Sequence, residues 1–232
     1  MEGVGYLAIW SDLAPQDETD WMHWITREHA AERVGIPGFL ACRIFRALGT
    51  AANRYFILYE LENPETVGSP QYLARLNEPT PWSQRIMPRL QNFARGGGRV
   101  VASAGIGEGG VLAVLPLDAR PQWDPTALTS ELSRVDRIVA ARVLLTDQAQ
   151  TSIQTREKGM RKNDETFAGL LLIEGLDEAA VRDALWHLRE TGKFEPGATD
   201  TLPLYRLFFS LPKRLLPALS EPTPPAGPPD HG

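Results

Sequence analysis

The chain has 232 residues, 43% of them apolar, and a formal net charge of -5 at pH 7. That apolar fraction supports a folded core, and an acidic chain without a long Lys/Arg block has no electrostatic footprint for DNA or RNA. No apolar run reaches bilayer length and no basic-then-apolar leader begins the sequence, which predicts a soluble cytoplasmic protein without a membrane partner. The single cysteine, Cys42, excludes an internal disulfide and fits a reducing compartment.

The first half of the chain follows the order strand, helix, strand, strand, helix, strand. Apolar patterning predicts strands over residues 6–13, 39–48, 54–61 and 99–104. Helices are predicted over residues 17–35 and 65–77, the second with Ser69-Pro70 as a point of interruption. Gly49 and Asn53 separate the second and third strands, which indicates a hairpin.

The second half repeats that order, with strands over residues 110–117, 137–146, 167–175 and 204–211 and helices over 125–135 and 177–191. Each half then forms a four-stranded antiparallel sheet with two helices on one face. The predicted fold class is therefore α+β: two tandem ferredoxin-like repeats, 1–104 and 110–216, packed sheet to sheet as an intramolecular α/β barrel. A glycine-rich joint, 105–109, links them, and the proline-rich tail, 217–232, is predicted to be disordered or draped.

The helix over residues 17–35 concentrates polar side chains and two tryptophans. Trp21, Ile25 and Val34 recur at helical spacing and predict a buried face, with His29 at its edge. Glu32 follows His29 by three residues, so the two side chains share a face and Glu32 could orient the imidazole. This pair predicts an acid/base catalyst, while a structural histidine that bridges or caps the helix is the alternative.

The same helix carries a family resemblance. The series runs from Trp21 or Trp24 through Glu28, His29, Glu32, Arg33 and Ile36-Pro-Gly-Phe39, before an arginine-containing strand. It resembles the EthD-like branch of the dimeric α/β-barrel superfamily over about the first hundred residues. The resemblance implies a histidine beside a pocket over the sheet, in relatives that are decarboxylases, cyclases, dehalogenases or monooxygenases of aromatic or polyketide-like compounds. Among the site residues of the family, the resemblance identifies only His29. The first helix of the second half lacks a Glu-His pair, so the resemblance implies a site in the first half alone.

Aromatic residues on two strands suggest a ligand cavity. Alternation puts Tyr6 and Trp10 on one side of the first strand and Tyr55 and Tyr59 on one side of the third. If those sides match, the four side chains line the barrel interior and offer hydroxyl and indole donors to a planar ligand. The alternative is that they fill an ordinary core.

Two further residues are candidates for ligand contact. Arg43 and Arg46 point to opposite sides of the second strand, so that one of them faces the interior, where it could meet a carboxylate or enolate. Trp82 lies in a proline-rich segment, 78–88, which is predicted to be too irregular for a helix or strand. That segment is interpreted either as a lid over the pocket or as a packed connector.

These residues predict a small-molecule enzyme acting on an aromatic or polyketide-like compound: a lyase, cyclase or cofactor-independent oxygenase. The alternative is a non-catalytic ligand-binding or assembly protein. No cofactor is predicted, because the glycines from 105 to 110 precede a strand rather than a helix and therefore do not make a nucleotide site. No metal is predicted either, because His23 and His29 are six residues apart. Heme is a third reading without a convincing proximal ligand, and a homodimer is left open.

Overall fold

The computed structural model describes residues 3–49, 53–161, 164–194, 199 and 202–216. Its strands close into one eight-stranded barrel. They are β1 (Gly5–Leu13), β2 (Phe39–Ala47), β3 (Asn53–Leu61), β4 (Gln91–Gly105), β5 (Val111–Leu117), β6 (Ile138–Thr146), β7 (Gly169–Gly175) and β8 (Leu204–Pro212).

The helices lie outside the barrel. In chain order they are α1 (Glu18–Trp24), which continues through a π-helical turn (Ile25–His29) into α2 (Ala30–Val34), then α3 (Pro70–Asn77), α4 (Pro81–Ile86), α5 (Pro125–Leu132), α6 (Gln148–Thr151), α7 (Arg156–Met160) and α8 (Glu178–Glu190). The starts follow from the sequence: Ser69, Thr80 and Asp124 each cap a helix that begins with proline. A side-chain oxygen at the cap accepts an otherwise unpaired amide hydrogen, and proline lacks the hydrogen that would be unpaired.

The barrel order is β1-β3-β2-β8-β5-β7-β6-β4, and every neighbouring pair of strands is antiparallel. The first half supplies β4-β1-β3-β2 and the second β8-β5-β7-β6, so the two halves have the same strand order. They join edge to edge, β2 to β8 and β4 to β6, and their inner faces meet across the interior. The predicted α+β barrel within one chain is confirmed.

The barrel interior is a packed core. Tyr6, Trp10, Phe45, Phe56 and Tyr205 fill it together with apolar side chains of β5, β6 and β7. The indole N–H of Trp10 donates to the Tyr205 hydroxyl at 3.0 Å, so the polar groups are used within the core. Of the two interpretations of the interior aromatics, an ordinary core therefore describes Tyr6 and Trp10.

The predicted placement of Tyr55 and Tyr59 in the interior is wrong. In the β1–β3 register Trp10 pairs with Phe56 and Tyr6 with Glu60, so that the even-numbered residues of β3 face inward. Because side chains alternate along a strand, Tyr55 and Tyr59 point to the outer face, where they pack beneath the helices.

Buried charges close one end of the interior. Arg43 donates to both carboxylate oxygens of Glu174, at 2.8 and 3.3 Å, and Arg142 donates to the same carboxylate. Arg43 also lies 3.5 Å from Glu60, and the four side chains are at most 3% exposed. Arg43 is thus the inward-facing arginine of β2. Arg46 is half-exposed and pairs with Glu18 at 2.9 Å.

Several boundaries differ from prediction. The glycines at 96–98 lie inside β4, which begins at Gln91 rather than at residue 99. A side chain is excluded there, since a Cβ on Gly96 would lie 2.5 Å from the Phe167 ring. The proline-rich segment 78–88 contains α4, and α6 and α7 were not predicted. Residues 217–232, predicted to be disordered or draped, lie outside the described residues.

Candidate functional site

A small enclosed cavity lies between the outer face of the first-half sheet and its helices. Its volume is about 40 Å³, enough for a few ordered water molecules. The sheet contributes Ile9 and Ser11 of β1, Ile57 and Tyr59 of β3, and Phe93 and Arg95 of β4; the rest of the wall is Trp21, Trp24, His29, Arg33, Tyr72, Leu76, Met87, Leu90, Thr155, Glu157 and Arg161.

The π-helical turn turns His29 toward this cavity. The amide of Ala30 donates to the carbonyl of Ile25, five residues back, and the Thr26 hydroxyl bonds the Met22 carbonyl at 2.7 Å. The extra residue rotates everything after it by about 100° relative to a regular helix, which brings His29 onto the face of Trp21. His29 was predicted at the edge of this face; it is 5% exposed and lies within it.

His29 is held without a strong hydrogen bond. Its ring stacks on Trp24 with centroids 4.1 Å apart, and Nδ1 lies 3.7 Å from a Glu32 oxygen, beyond hydrogen-bond length. Nδ1 has no hydrogen-bond partner among the described residues. Burial holds the pKa of His29 well below 6.5, and the charges of Arg33 and Arg161 add to the effect. The imidazole is therefore neutral at pH 7 and able to accept a proton.

A hydrogen-bonded chain fixes the stacking partner of His29. The Trp24 indole donates to Ser83 at 3.2 Å, and the Thr80 hydroxyl lies 3.0 Å from the same Ser83 oxygen and 2.6 Å from Glu28. These contacts tie α4 to α1, so the proline-rich segment is a packed connector on the helix that carries His29.

Arginines supply the positive charge of the cavity. Arg33 follows His29 by four residues, is 2% exposed and is paired with Glu157 of α7 through Nη2, whereas Nη1 has no hydrogen-bond partner in the part of the chain that the structure describes. Arg161 lies over the Phe93 ring at 4.1 Å and pairs with Asp164 at 2.7 Å. Because α7 belongs to the second half of the chain, the wall of this first-half cavity is shared between halves.

The predicted site residues fall into three places. His29 and Tyr59 line the cavity, and Glu32 borders His29; burial raises the pKa of Glu32. Tyr6, Trp10 and Arg43 are inside the barrel. Tyr55 is on the outer face and hydrogen-bonds Glu18 at 2.6 Å, and half-buried Trp82 donates to Asp20 at 3.0 Å; neither lines the cavity.

Sequence reasoning missed Arg33 and Glu157 as site residues. The spacing of four between His29 and Arg33 is a signal that both share one helix face. Glu157 gave no such signal, because its contact with Arg33 spans 124 residues of sequence.

The site offers a neutral base and buried cationic donors in an enclosed space. Within the described residues, no group of three or more His, Cys, Asp or Glu side chains is placed to hold a metal ion. No helix in that part of the chain is long and apolar enough to span a membrane.

Solved structures share the whole architecture. An anthrone oxidase-like protein matches with a TM-score of 0.54 and 12% identity over 95% of this chain and 98% of its own. A Fusobacterium nucleatum protein provisionally assigned as a monooxygenase gives 0.53 and 11% over 92% and 96%. A mutant chlorite dismutase from Candidatus Nitrospira defluvii gives 0.52 and 11% over 90% and 93%.

No protein-family model matches the sequence, and no curated protein does. At these identities the structural matches establish the fold alone. The chain is a mixed α+β protein whose eight antiparallel strands close into a barrel within one polypeptide.

Proposed function

We propose that the protein is a small-molecule enzyme that acts on an aromatic or polyketide-like compound, with His29 as the acid/base group. The observation that carries the proposal is a buried, neutral histidine that lines an enclosed cavity and has no hydrogen-bond partner for Nδ1 among the described residues. An unmet buried polar atom costs about 1–3 kcal/mol, so this nitrogen is available to a ligand or a water molecule in the cavity. A positioned acid/base group of this kind can make a proton transfer in a lyase, cyclase or cofactor-independent oxygenase reaction.

Glu32 is proposed as a positioning residue rather than a proton donor to substrate. Its carboxylate is 3.7 Å from His29 Nδ1, close enough for its negative charge to stabilise the imidazolium while Nδ1 keeps no hydrogen bond to Glu32. Trp24 fixes the ring plane, and Tyr59 offers a wall of the ligand space. The proposed site does not include five of the predicted residues, because their polar groups bond other residues away from the cavity: Tyr6, Trp10, Arg43, Tyr55 and Trp82.

We infer that the two halves arose from a tandem duplication of an EthD-like unit. Arg43 and Arg142 each occupy the fifth position of the second strand of their half, and Glu60 and Glu174 each occupy the last position but one of the third. Gly38 and Arg137, just before those second strands, both have positive φ angles, 85° and 60°. The inferred duplication supports an origin of the chain in the dimeric α/β-barrel superfamily. The sequence of the helix that carries His29 supports its assignment to the EthD-like branch.

Heme does not fit the described structure. A cavity of about 40 Å³ beside His29 has no room for a macrocycle. The corresponding space of the second half is packed with apolar side chains, and His187 on α8 is at the surface, paired with Glu131 at 2.9 Å. No step is therefore assigned to heme.

The second candidate is a non-catalytic ligand-binding or assembly protein. It is favoured by the filled barrel interior and by the small volume of the cavity, both of which a purely structural barrel would share. A homodimer remains a prediction that sedimentation analysis of the purified protein would test.

The test begins with a thermal-shift screen of aromatic and polyketide-like acids, followed by mass spectrometry of the ligands after incubation. For a converted ligand, His29→Gln should lower turnover by about a hundredfold or more, since glutamine keeps the volume but does not titrate near neutral pH. His23→Gln is the matched control, because His23 is exposed on the same helix. Conversion that is unchanged in His29→Gln would refute the role of His29, and ligands that bind to the wild type without being converted would leave the second candidate.

A further inference from the structure

The β6–β7 connection of the second half covers the first-half cavity. It contributes Thr155, Glu157 and Arg161 to the wall. Arg156 at the start of α7 donates its amide to Asn77 at 3.0 Å, and the amide of Arg95 donates to Glu165 at 2.9 Å. The corresponding connection in the first half, between β2 and β3, spans only residues 48–52. The cover is therefore an addition to the barrel plan.

A ligand with a ring needs more space than this closed cavity holds. The cavity of about 40 Å³ holds a few water molecules at most, since one water needs roughly 10–15 Å³ on the same measure. Most of the wall is the sheet, the helices α1 to α3 and the segment after α4, all of the same half. The α7 segment is the part that comes from the other half, and its buried ionic contact with the site is Glu157 to Arg33.

Only one of the two terminal nitrogens of Arg33 takes part in that contact. Glu157 accepts from Nη2, while Nη1 is buried without a hydrogen-bond partner among the described residues. Tyr72 lies under the guanidinium at 5.9 Å and under that of Arg95 at the same distance, which adds a flat aromatic surface beside the charge. A guanidinium binds a carboxylate most strongly through two parallel hydrogen bonds, which Glu157 does not make.

We propose that Arg33 is the anion-binding residue of the His29 site, and that its ligand is a planar aromatic acid whose carboxylate displaces Glu157 and so releases the α7 cover. Arg33 lies one helical turn beyond His29, so a carboxylate held there leaves the attached ring beside the imidazole. The negative charge of the ligand then both binds Arg33 and releases the α7 cover. A neutral analogue of the same shape would do neither of these. This inference rests on the proposed function, since it assigns the substrate class of the same cavity.

The probes are 2-naphthoate and 2-naphthamide, which have the same shape and differ in charge. Wild-type protein should bind the acid about tenfold or more tightly than the amide, measured by calorimetry. Glu157→Gln removes the competing charge but keeps an acceptor for Arg33, and once circular dichroism shows that the variant is folded it should bind the acid about tenfold more tightly than wild type. Arg85→Gln, which changes an exposed arginine on α4, should behave as wild type.

Removing Arg33 alone would strand the buried Glu157 charge and risk unfolding. The double variant Arg33→Met with Glu157→Leu avoids this, because an apolar pair of similar volume replaces a buried ion pair at little cost. It should fold and bind acid and amide equally. Hydrogen exchange over residues 155–161 should speed up when the acid binds to wild type and not when the amide is added.

Three results would overturn the inference: equal binding of acid and amide by wild type and Glu157→Gln, no binding of either probe by both proteins, or an acid preference that survives in the double variant. Failure of the proposed function looks different. His29→Gln should keep the acid preference, so an acid preference in a protein whose turnover does not depend on His29 would refute catalysis by His29 and leave the Arg33 site standing.

Discussion

Replacing Glu174 should destabilise the barrel more than any exposed carboxylate. Glu174 is fully buried and accepts from Arg43 at 2.8 and 3.3 Å, from Arg142, and from the Gly109 amide at 3.1 Å. Glu174→Gln keeps the volume but removes the carboxylate that two buried guanidinium groups share, and leaves Arg43 with only the longer contacts to Glu60 and Glu108 at 3.5 Å. Breaking a buried ion pair from one side costs about 3–5 kcal/mol. For a chain of this length, that corresponds to a fall in Tm of roughly 6–20 °C.

The matched control is Glu178→Gln. Glu178 pairs with Arg206 at 2.6 Å, but both side chains are exposed, 41% and 61%, and such pairs contribute about 0–1 kcal/mol. Both variants are compared with wild type by urea denaturation and calorimetry at neutral pH. Equal destabilisation of the two variants would refute the reasoning that the interior network, rather than ion pairing in general, stabilises the barrel.

The same variant has a predicted pH signature. The nearby arginines and the Gly109 amide hold the pKa of Glu174 below its ordinary value of 4.5 despite its burial. The folded protein therefore binds fewer protons at this site than the unfolded chain. The contribution of Glu174 to stability is present above pH 4.5 and is lost as the pH falls through the folded pKa. Glu174→Gln should flatten this acid limb of the stability curve.

Gly96→Ala should lower the free energy of unfolding, measured by chemical denaturation, by about 1–3 kcal/mol, because the new Cβ would lie 2.5 Å from the Phe167 ring. Gly159→Ala is the control: its Cβ would lie in open space, so the variant should be as stable as wild type or slightly more stable. A Gly96→Ala variant as stable as wild type would show that Phe167 can move aside. Halves expressed separately, cut between Gly105 and Gly110, should be insoluble or self-associate, because each exposes its inner apolar face and two unpaired edges. Two soluble monomers in size-exclusion chromatography would contradict this.

The order of strands and helices was predictable because local patterns encode it. Alternating residues in β1 and β3 and the proline at the start of α5 identify elements without reference to distant contacts, whereas the helix predicted over 65–77 begins only at Pro70, where an interruption was expected. The glycines in β4 misled for a physical reason. Glycine usually ends a strand, but here Gly96 and Gly97 make room for Phe167 and Val67, which are distant in sequence.

The candidate site was predictable only in part. His29 and Glu32 stand out by residue type and spacing on one helix. The side of the sheet on which Tyr55 and Tyr59 lie was not predictable, because the positions of aromatic residues do not determine the register between two strands. The hydrogen-bonded pairing of β1 with β3 determines it and places Phe56 beside Trp10. Glu157 depends on a contact between the two halves of the chain, which no local pattern encodes.

The protonation state of His29 can be measured without a substrate, and it tests whether this histidine is held as a neutral base in the cavity. The imidazole nitrogens of His29 are followed through a pH titration by NMR, with His29→Gln to assign the signal. A neutral base held in the cavity should titrate well below 6.5, because burial and the charges of Arg33 and Arg161 oppose the imidazolium. A pKa at or above 6.5 would contradict the account, since His29 would then be solvated or paired and not held as a neutral base.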